Sequence, residues 1–449
     1  MKIINIAYII IIFLALASSP SIGEEFGRES KESGKIWSSA LYEELKDGFD
    51  HDLRFIVSGT YQDVAESSQN PRNDFFEIPQ YLTESQVRFD ARLRLMHLDF
   101  SIKPRLNIER RQWEDGQREG DSEWKSDLYI NEWLARTRMA EGLFISYGRE
   151  NLQWGPSYLF SPSNPFFRDN GRSNPKREVP GMDFGRLVWI TDELWTFSLI
   201  ANFDKGRQDF GLFKFEKTYA LKVDYAGYVA YMSLILSHRE KDRTSFGAFG
   251  GWTASDALLL YAEGMLSKGT NALYPTDSAN PFGASLDPIK DEDSSLNGII
   301  LAGASYTLEI GPTLTVEYIY NGLGYNNEKA NRYYSLRKRA SDAYFTIGTM
   351  SSLSKMILGQ TADPNLRFLR RNYIMLQYLH NDIKDVLNLT FRWTRNIDDG
   401  SDQFVSIVEY YLGDHIQLFS IGTVNSGSGD TEFGTTLKCQ WMLGLEYVF

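Results

Sequence analysis

The chain is 449 residues long, with 47 Lys and Arg against 59 Asp and Glu and a formal net charge of −12. Charged residues make up 24% of it and aromatics 14%, and it has one cysteine. These values exclude a disordered chain, a bundle of apolar membrane helices, a disulfide scaffold and a general binder of nucleic acid, which needs a basic face.

Residues 1–23 carry Lys2, an apolar run from Ile3 to Ala17, and small residues through Gly23. That order predicts a cleaved secretory signal peptide. Ile36, Trp37, Ala40, Leu41, Leu45 and Phe49 are spaced as one face of a short helix, so 24–50 reads as a periplasmic segment ahead of the first strand. Nothing beyond it reaches the ~20 consecutive apolar residues of a spanning helix. If the mature chain crosses a membrane, it does so as strands.

From about residue 51 the pattern has period two. In 86–95, Val87, Phe89, Ala91, Leu93 and Leu95 alternate with Gln86, Arg88, Asp90, Arg92 and Arg94. In 98–109, Leu98, Phe100, Ile102, Leu106 and Ile108 alternate with Asp99, Lys103, Arg105 and Glu109. One apolar and one charged face over ten residues is the signature of a transmembrane β-strand. About 18 such segments run from 52–61 to 436–449, with 16 as the alternative count. Tiny connections such as Met96-His97 and Gly413 alternate with long ones at 62–84, 150–182, 268–295 and 322–368. This sorting predicts an all-β, antiparallel up-and-down barrel over 51–449, its long loops outside and its short turns in the periplasm.

Facing inward, the phase places Arg88, Asp90, Arg92, Arg94, Lys103, Arg105, Glu109, Glu132, Arg136 and Arg138, then Lys222, Asp224, Glu263, Glu317, Arg392, Lys438 and Glu446. Arg88, Asp90, Arg92, Arg94, Lys103, Arg105, Glu109, Arg136 and Arg392 are the candidate pore lining: such rows set a field across a lumen, or pair with each other and keep it wet. Aromatic girdles at the two interfaces are expected from Trp133, Trp189, Trp195, Tyr225, Tyr228, Tyr231, Tyr318, Tyr320, Trp393, Trp441 and Tyr447.

Loop 150–182 is rich in proline and aromatics, which suits it to packing against a surface. Trp154, Tyr158, Phe160, Phe166 and Phe167 are expected to anchor it, leaving Arg168, Arg172, Lys176 and Arg177 beside the path. If it narrows a pore, removing 156–180 raises conductance. In 322–368, Ala343, Tyr344, Ile347, Met350, Leu353 and Met356-Ile357 form a helical stripe preceded by Arg332, Arg337, Lys338 and Arg339. It reads as a helix across the outer mouth or inserted as a partial plug, with a surface loop for a partner as the alternative. Asp277, Asp287, Asp291, Glu292 and Asp293 lack the ligand spacing of a calcium loop and read as a solvated acidic segment. The five histidines form no His-x-x-x-His or His-Glu-x-x-His pair, and there is no Gly-x-Ser-x-Gly elbow or phosphate loop. No enzyme, metal or cofactor is expected.

The last segment sets Leu437, Cys439, Trp441, Leu443, Leu445, Tyr447 and Phe449 on one face. Ending on Phe with apolar residues at alternate places, it resembles the closing strand of bacterial outer-membrane β-barrels. The Gly148-Arg149 to Trp154-Gly155 stretch resembles the strand-to-loop junction of 18-stranded substrate-specific porins, and Trp154-Gly155-Pro156 a turn of capsule-assembly barrels. The resemblance implies an outer-membrane location amid lipid and lipopolysaccharide, insertion by machinery that reads the strand ending in Phe449, and a possible homo-oligomer. It implies a porin passing small polar or charged solutes, with 150–182 folded inward. In the second reading the barrel assembles or exports surface polysaccharide.

Overall fold

The computed structural model describes residues 45–167, 169–240, 243–288 and 296–449. The expected leader, most of the 35–49 helix, Arg168, Asp291, Glu292 and Asp293 lie outside them. The chain runs through β1 (Phe49–Val64), β2 (Tyr81–Leu95), β3 (Leu98–Gln112), β4 (Ser122–Ala140) and β5 (Leu143–Glu150). Next come β6 (Met182–Ile190), β7 (Trp195–Asp204), β8 (Thr218–Ala226), β9 (Ala230–Arg239), β10 (Arg243–Ser255) and β11 (Leu258–Lys268). A hairpin of β12 (Leu273–Asp277) and β13 (Ala284–Pro288) precedes β14 (Leu296–Thr307) and β15 (Thr313–Asn321). Helices α1 (Asn327–Asp342) and α2 (Thr349–Ala362) then lead into β16 (Asn372–Ile383) and β17 (Leu387–Asn396). β18 (Asp402–Leu412), β19 (Ile416–Ser426) and β20 (Leu437–Val448) complete the chain.

Eighteen of these strands make one sheet, and they coincide with the segments of period two. Each pairs antiparallel with its neighbours, and β1 pairs with both β2 and β20, so the sheet closes on itself. Closure leaves the sheet no open edge, so the backbone groups of its first and last strands find partners within the ring, as hydrocarbon demands. The β12–β13 hairpin stands apart from that ring.

The outward phase carries exposed apolar residues all round: Phe55, Leu106, Ile145, Leu199, Leu221, Leu234, Ile300, Val316, Phe391 and Leu443 among them. So continuous a belt far exceeds the apolar patch of a soluble monomer. Trp189, Trp195, Tyr318, Tyr320 and Trp441 also lie exposed on it. Tyr231 does not belong to the expected girdle. It shares the phase of buried Ser233 and Ile235, pairs with Gly251 and packs against Phe249, so it points inward over a residue with no side chain to oppose it.

One irregularity resets the phase. Lys103 pairs with Glu132 but Pro104 with Ile130, leaving buried Asn131 as an extra residue in β4. Proline offers no N–H to the ladder, and a bulge accommodates it. Beyond the bulge the inward positions of β4 change from Glu132 and Arg136 to Tyr129 and Asp127.

At the long-loop end the loops weld into a lid with its own core: Tyr274 and Leu286 of the hairpin, Tyr325, Tyr333, Leu336, Ile357 and Leu358. The expected helical stripe is broken. α1 ends at Asp342 and α2 starts only at Thr349, after Gly348 at its N-cap adopts a φ of 83° that L side chains avoid. Ile347, between the helices, is 97% exposed, while Met350, Leu353 and Ile357 still join the core. Arg337 is buried, 4.8 Å from the Tyr334 ring, donating to Ser68 at 3.0 Å and to the Gly429 carbonyl. It ties α1 to the loops after β1 and β19.

Glu432 ties three further segments. Its carboxylate accepts the Leu369 N–H and the Asn396 amide, each at 2.9 Å, and the Tyr373 hydroxyl. Burial pushes this carboxyl from its ordinary 4.5 up to about 7. A raised acid makes its full contribution below pH 4.5 and loses it as pH climbs through about 7. The thermal midpoint of the barrel in detergent is expected to fall by a few degrees from pH 5 to 7.5, and Glu432→Gln, which stays neutral, to flatten that dependence. A variant that follows the wild-type curve assigns the pH response to another group.

Candidate functional site: a loop folded inside the barrel

The inner wall is not polar throughout. Met182, Phe184, Ile200, Ala220 and Ile235 of β6–β9 face inward and are buried, as are Ile299, Leu301, Ile319, Tyr373 and Met375 of β14–β16. What covers them is loop 151–181. Phe166 and Phe167 pack on Phe184, with Trp154 edge-on to Phe166 at 5.8 Å. Leu159 and Phe160 join the β14–β16 cluster, with Phe160 edge-on to Phe368 at 5.3 Å. Four of the five expected anchors therefore act as aromatic packing.

Local chemistry shapes the loop. Asn164 accepts the Phe166 and Phe167 N–H groups on its side-chain oxygen and donates to the Leu152 carbonyl at 2.9 Å, closing an Asx turn around Pro165. Arg177 N–H donates to the Asn174 carbonyl at 3.1 Å, a turn with Pro175 in its second place.

Two wall carboxylates hold the base of the loop. Fully buried Glu317 accepts the Tyr158 N–H at 2.8 Å, the Ser157 hydroxyl at 3.1 Å and the Tyr261 hydroxyl at 2.8 Å. Buried Glu263 accepts the Ser163 N–H at 3.1 Å, the Ser163 hydroxyl at 2.7 Å and the Ser161 hydroxyl. A charge taken out of water needs such donors. Tyr158, the fifth anchor, lies between the Arg172 and Arg392 guanidiniums, 5.2 and 5.9 Å from its ring. Arg172 donates to the Pro156 and Ser157 carbonyls, and Arg392 to Gln377 at 2.9 Å and to the Arg172 carbonyl at 3.3 Å.

The tip of the loop crosses to the opposite wall. Lys176 Nζ lies 2.6 Å from Glu446 and 3.3 Å from Glu409, and also meets Gln417. Glu178 takes Arg105 in a fork of two 2.7 Å bonds. Burial raises the Glu178 carboxyl, but the Arg105 bonds and charge outweigh it and hold the group below the ordinary range. Buried Arg88 donates to Gln86 at 2.9 Å and to the Lys176 carbonyl. Register pairs Arg54 with Arg88 and Arg88 with Arg105, which sets three guanidiniums at one height. Asp90 at 2.8 Å from Arg54 and 2.7 Å from Arg105 offsets that row.

The remaining candidates divide by height. Toward the short-turn end, Asp99 bridges Arg92 and Arg136 at 2.5 and 2.6 Å, and Lys103 pairs with Glu132 at 3.1 Å. Arg94 is exposed beside the Met96-His97 turn, at the rim. Glu109 pairs with Arg111 toward the long-loop end. Arg177 lines a cavity on the outer side of the loop, among Phe210, Asn202 and Asp363. Sequence reasoning missed Glu178, Tyr261, Ser161, Ser163 and Asn164. The acid at 178, in a loop otherwise read for its cations, was a visible signal; the serines carried none.

No family model matches this sequence, and no curated protein does. The fold does have relatives among crystal structures. OccAB1 of Acinetobacter baumannii superposes with a TM-score of 0.57 at 12% identity, over 89% of this chain and 96% of that one. OccK5 (OpdH) of Pseudomonas aeruginosa gives 0.52 at 9%, over 90% and 98%, and the outer membrane protein OprD from Pseudomonas aeruginosa 0.51 at 9%, over 89% and 94%. The chain therefore has a porin-like, 18-stranded outer-membrane barrel fold.

Gly155 lets the loop base reach Glu263: its φ is 86°, and a Cβ there would lie 2.4 Å from Glu263 Oε2. Gly155→Ala is expected to cost about 1–2 kcal/mol from backbone strain alone, read as earlier loss of the heat-resistant folded band in gel electrophoresis. Wild-type heat resistance would show that the base does not need this approach.

Proposed function

We propose that the protein is a channel of the bacterial outer membrane for passive diffusion of small polar or charged solutes, with loop 151–181 as its constriction. One observation carries the reading. A closed ring with an apolar belt outside holds, across its lumen, a loop bonded to both walls, with ionised residues at its tip and in the wall beside it. The path for solutes runs along the charged residues of β1–β3 and β17–β20, the arc of wall that the tip meets. Arg88, Asp90, Arg92, Lys103, Arg105, Arg136 and Arg392 contribute the wall side of the path, and Arg172, Lys176 and Arg177 the loop side; no residue is assigned a catalytic part.

The likeness to solved porins supports the barrel and leaves the solute open. The last strand supports insertion by machinery that reads it: Phe449 donates its N–H to Leu53 at 3.0 Å across the closing seam and keeps its ring exposed. Purified protein in a planar bilayer is expected to give discrete conductance steps, and a reversal potential in a salt gradient to report charge selectivity. A silent bilayer together with saccharide binding would favour the polysaccharide barrel instead.

A further inference from the structure

Two cavities meet at the tip of the loop. One of about 470 Å3, on the long-loop side, is lined by Ser173, Asn174 and Arg177 but not by the two residues between them. The other, of about 290 Å3 toward the short-turn end, is lined by Pro175 and Lys176 with Arg54, Arg88, Glu409 and Glu446. The turn 174–177 is the partition between them.

We infer that this turn is an ionically latched gate, an inference that rests on the channel reading. The loop has two parts held by different physics. Its base, from Trp154 to Phe167, is fixed by aromatic burial and by Glu263 and Glu317. Its tip is held by charges on one continuous arc of wall, β18–β20 and β1–β3: Lys176 to Glu446 and Glu409, Glu178 to Arg105, and the Lys176 carbonyl to Arg88.

The turn is itself stiff. Pro175 fixes one φ, Arg177 N–H closes on the Asn174 carbonyl, and Lys176 N–H bonds the Asn174 side chain at 3.0 Å. It leaves the wall as a unit or stays. A latch made of a few charge-assisted bonds opens when one partner is neutralised, whereas apolar packing at the base does not respond to charge. Displacement of the turn from this arc joins the two cavities along the wall and uncovers Arg88 and Arg105 beside Glu409 and Glu446.

The test is single-channel recording of the full chain with three variants. The wild type is expected to occupy a low-conductance level with excursions to a higher one. Lys176→Gln raises occupancy of the higher level at least tenfold, and Lys176→Arg, which keeps the charge, stays within about twofold of the wild type. Glu178→Gln weakens the latch from its Arg105 side and moves occupancy the same way, so the test survives if one variant fails to fold. A silent wild type beside a conducting Lys176→Gln also supports the gate. Identical levels and occupancies in the wild type, Lys176→Gln and Glu178→Gln would overturn it while leaving the channel intact. Silence in every form overturns the channel reading, and the gate with it.

Discussion

A ring of 18 strands leaves a hole, and much of the wall around this one is apolar. Each buried Ile, Leu or Phe side chain that would otherwise meet water is worth roughly 1.5–3 kcal/mol. Ile200, Ile235, Leu301 and Ile319 therefore require a cover, and loop 151–181 supplies it with Leu159, Phe160, Phe166 and Phe167. The polar cost of carrying a backbone segment into the ring is offset at Glu317 and Glu263, which accept its N–H and hydroxyl groups. The loop thus serves as core for this part of the barrel interior.

From that arrangement the rest follows in layers. The base of the loop fixes where the tip falls, and the tip meets the wall where register has lined up Arg54, Arg88 and Arg105. The chain could leave that row of like charges unpaired only at high cost. Asp90 and Glu446 neutralise it from the wall, and Glu178 from the loop. Above, the lid ties the long connections together through Arg337 and Glu432, so the outer mouth is bounded by a packed structure.

The barrel was legible because its driving force is periodic. Val87, Phe89 and Leu93 against Arg88, Asp90 and Arg92 state a lipid face and a lumen face with no knowledge of the partner strands. Inward positions such as Glu263, Glu317, Arg392 and Glu446 followed from the same phase. Alternation could not announce an apolar inner face, because Ile200 and Ile235 have neighbours as greasy as themselves and only the loop that covers them distinguishes inside from outside. Tyr231 was misplaced for the same reason. The break at Gly348 and the bulge at Asn131 depend on backbone geometry, which side-chain periodicity does not encode. Which carboxylate meets which loop donor depends on a three-dimensional crossing of the lumen, far beyond the reach of spacing.

Treating the loop as core changes what its removal means: a simple constriction can be cut out, whereas a core segment cannot. The decisive measurement is the folded fraction of a chain in which 156–180 is replaced by a short Gly/Ser link, read as the heat-modifiable shift on electrophoresis after refolding into detergent. Collapse of that fraction to a small part of the wild-type value is the predicted result. Refolding at wild-type yield and heat resistance, with a wider conductance, would contradict it and reduce the loop to a removable obstruction.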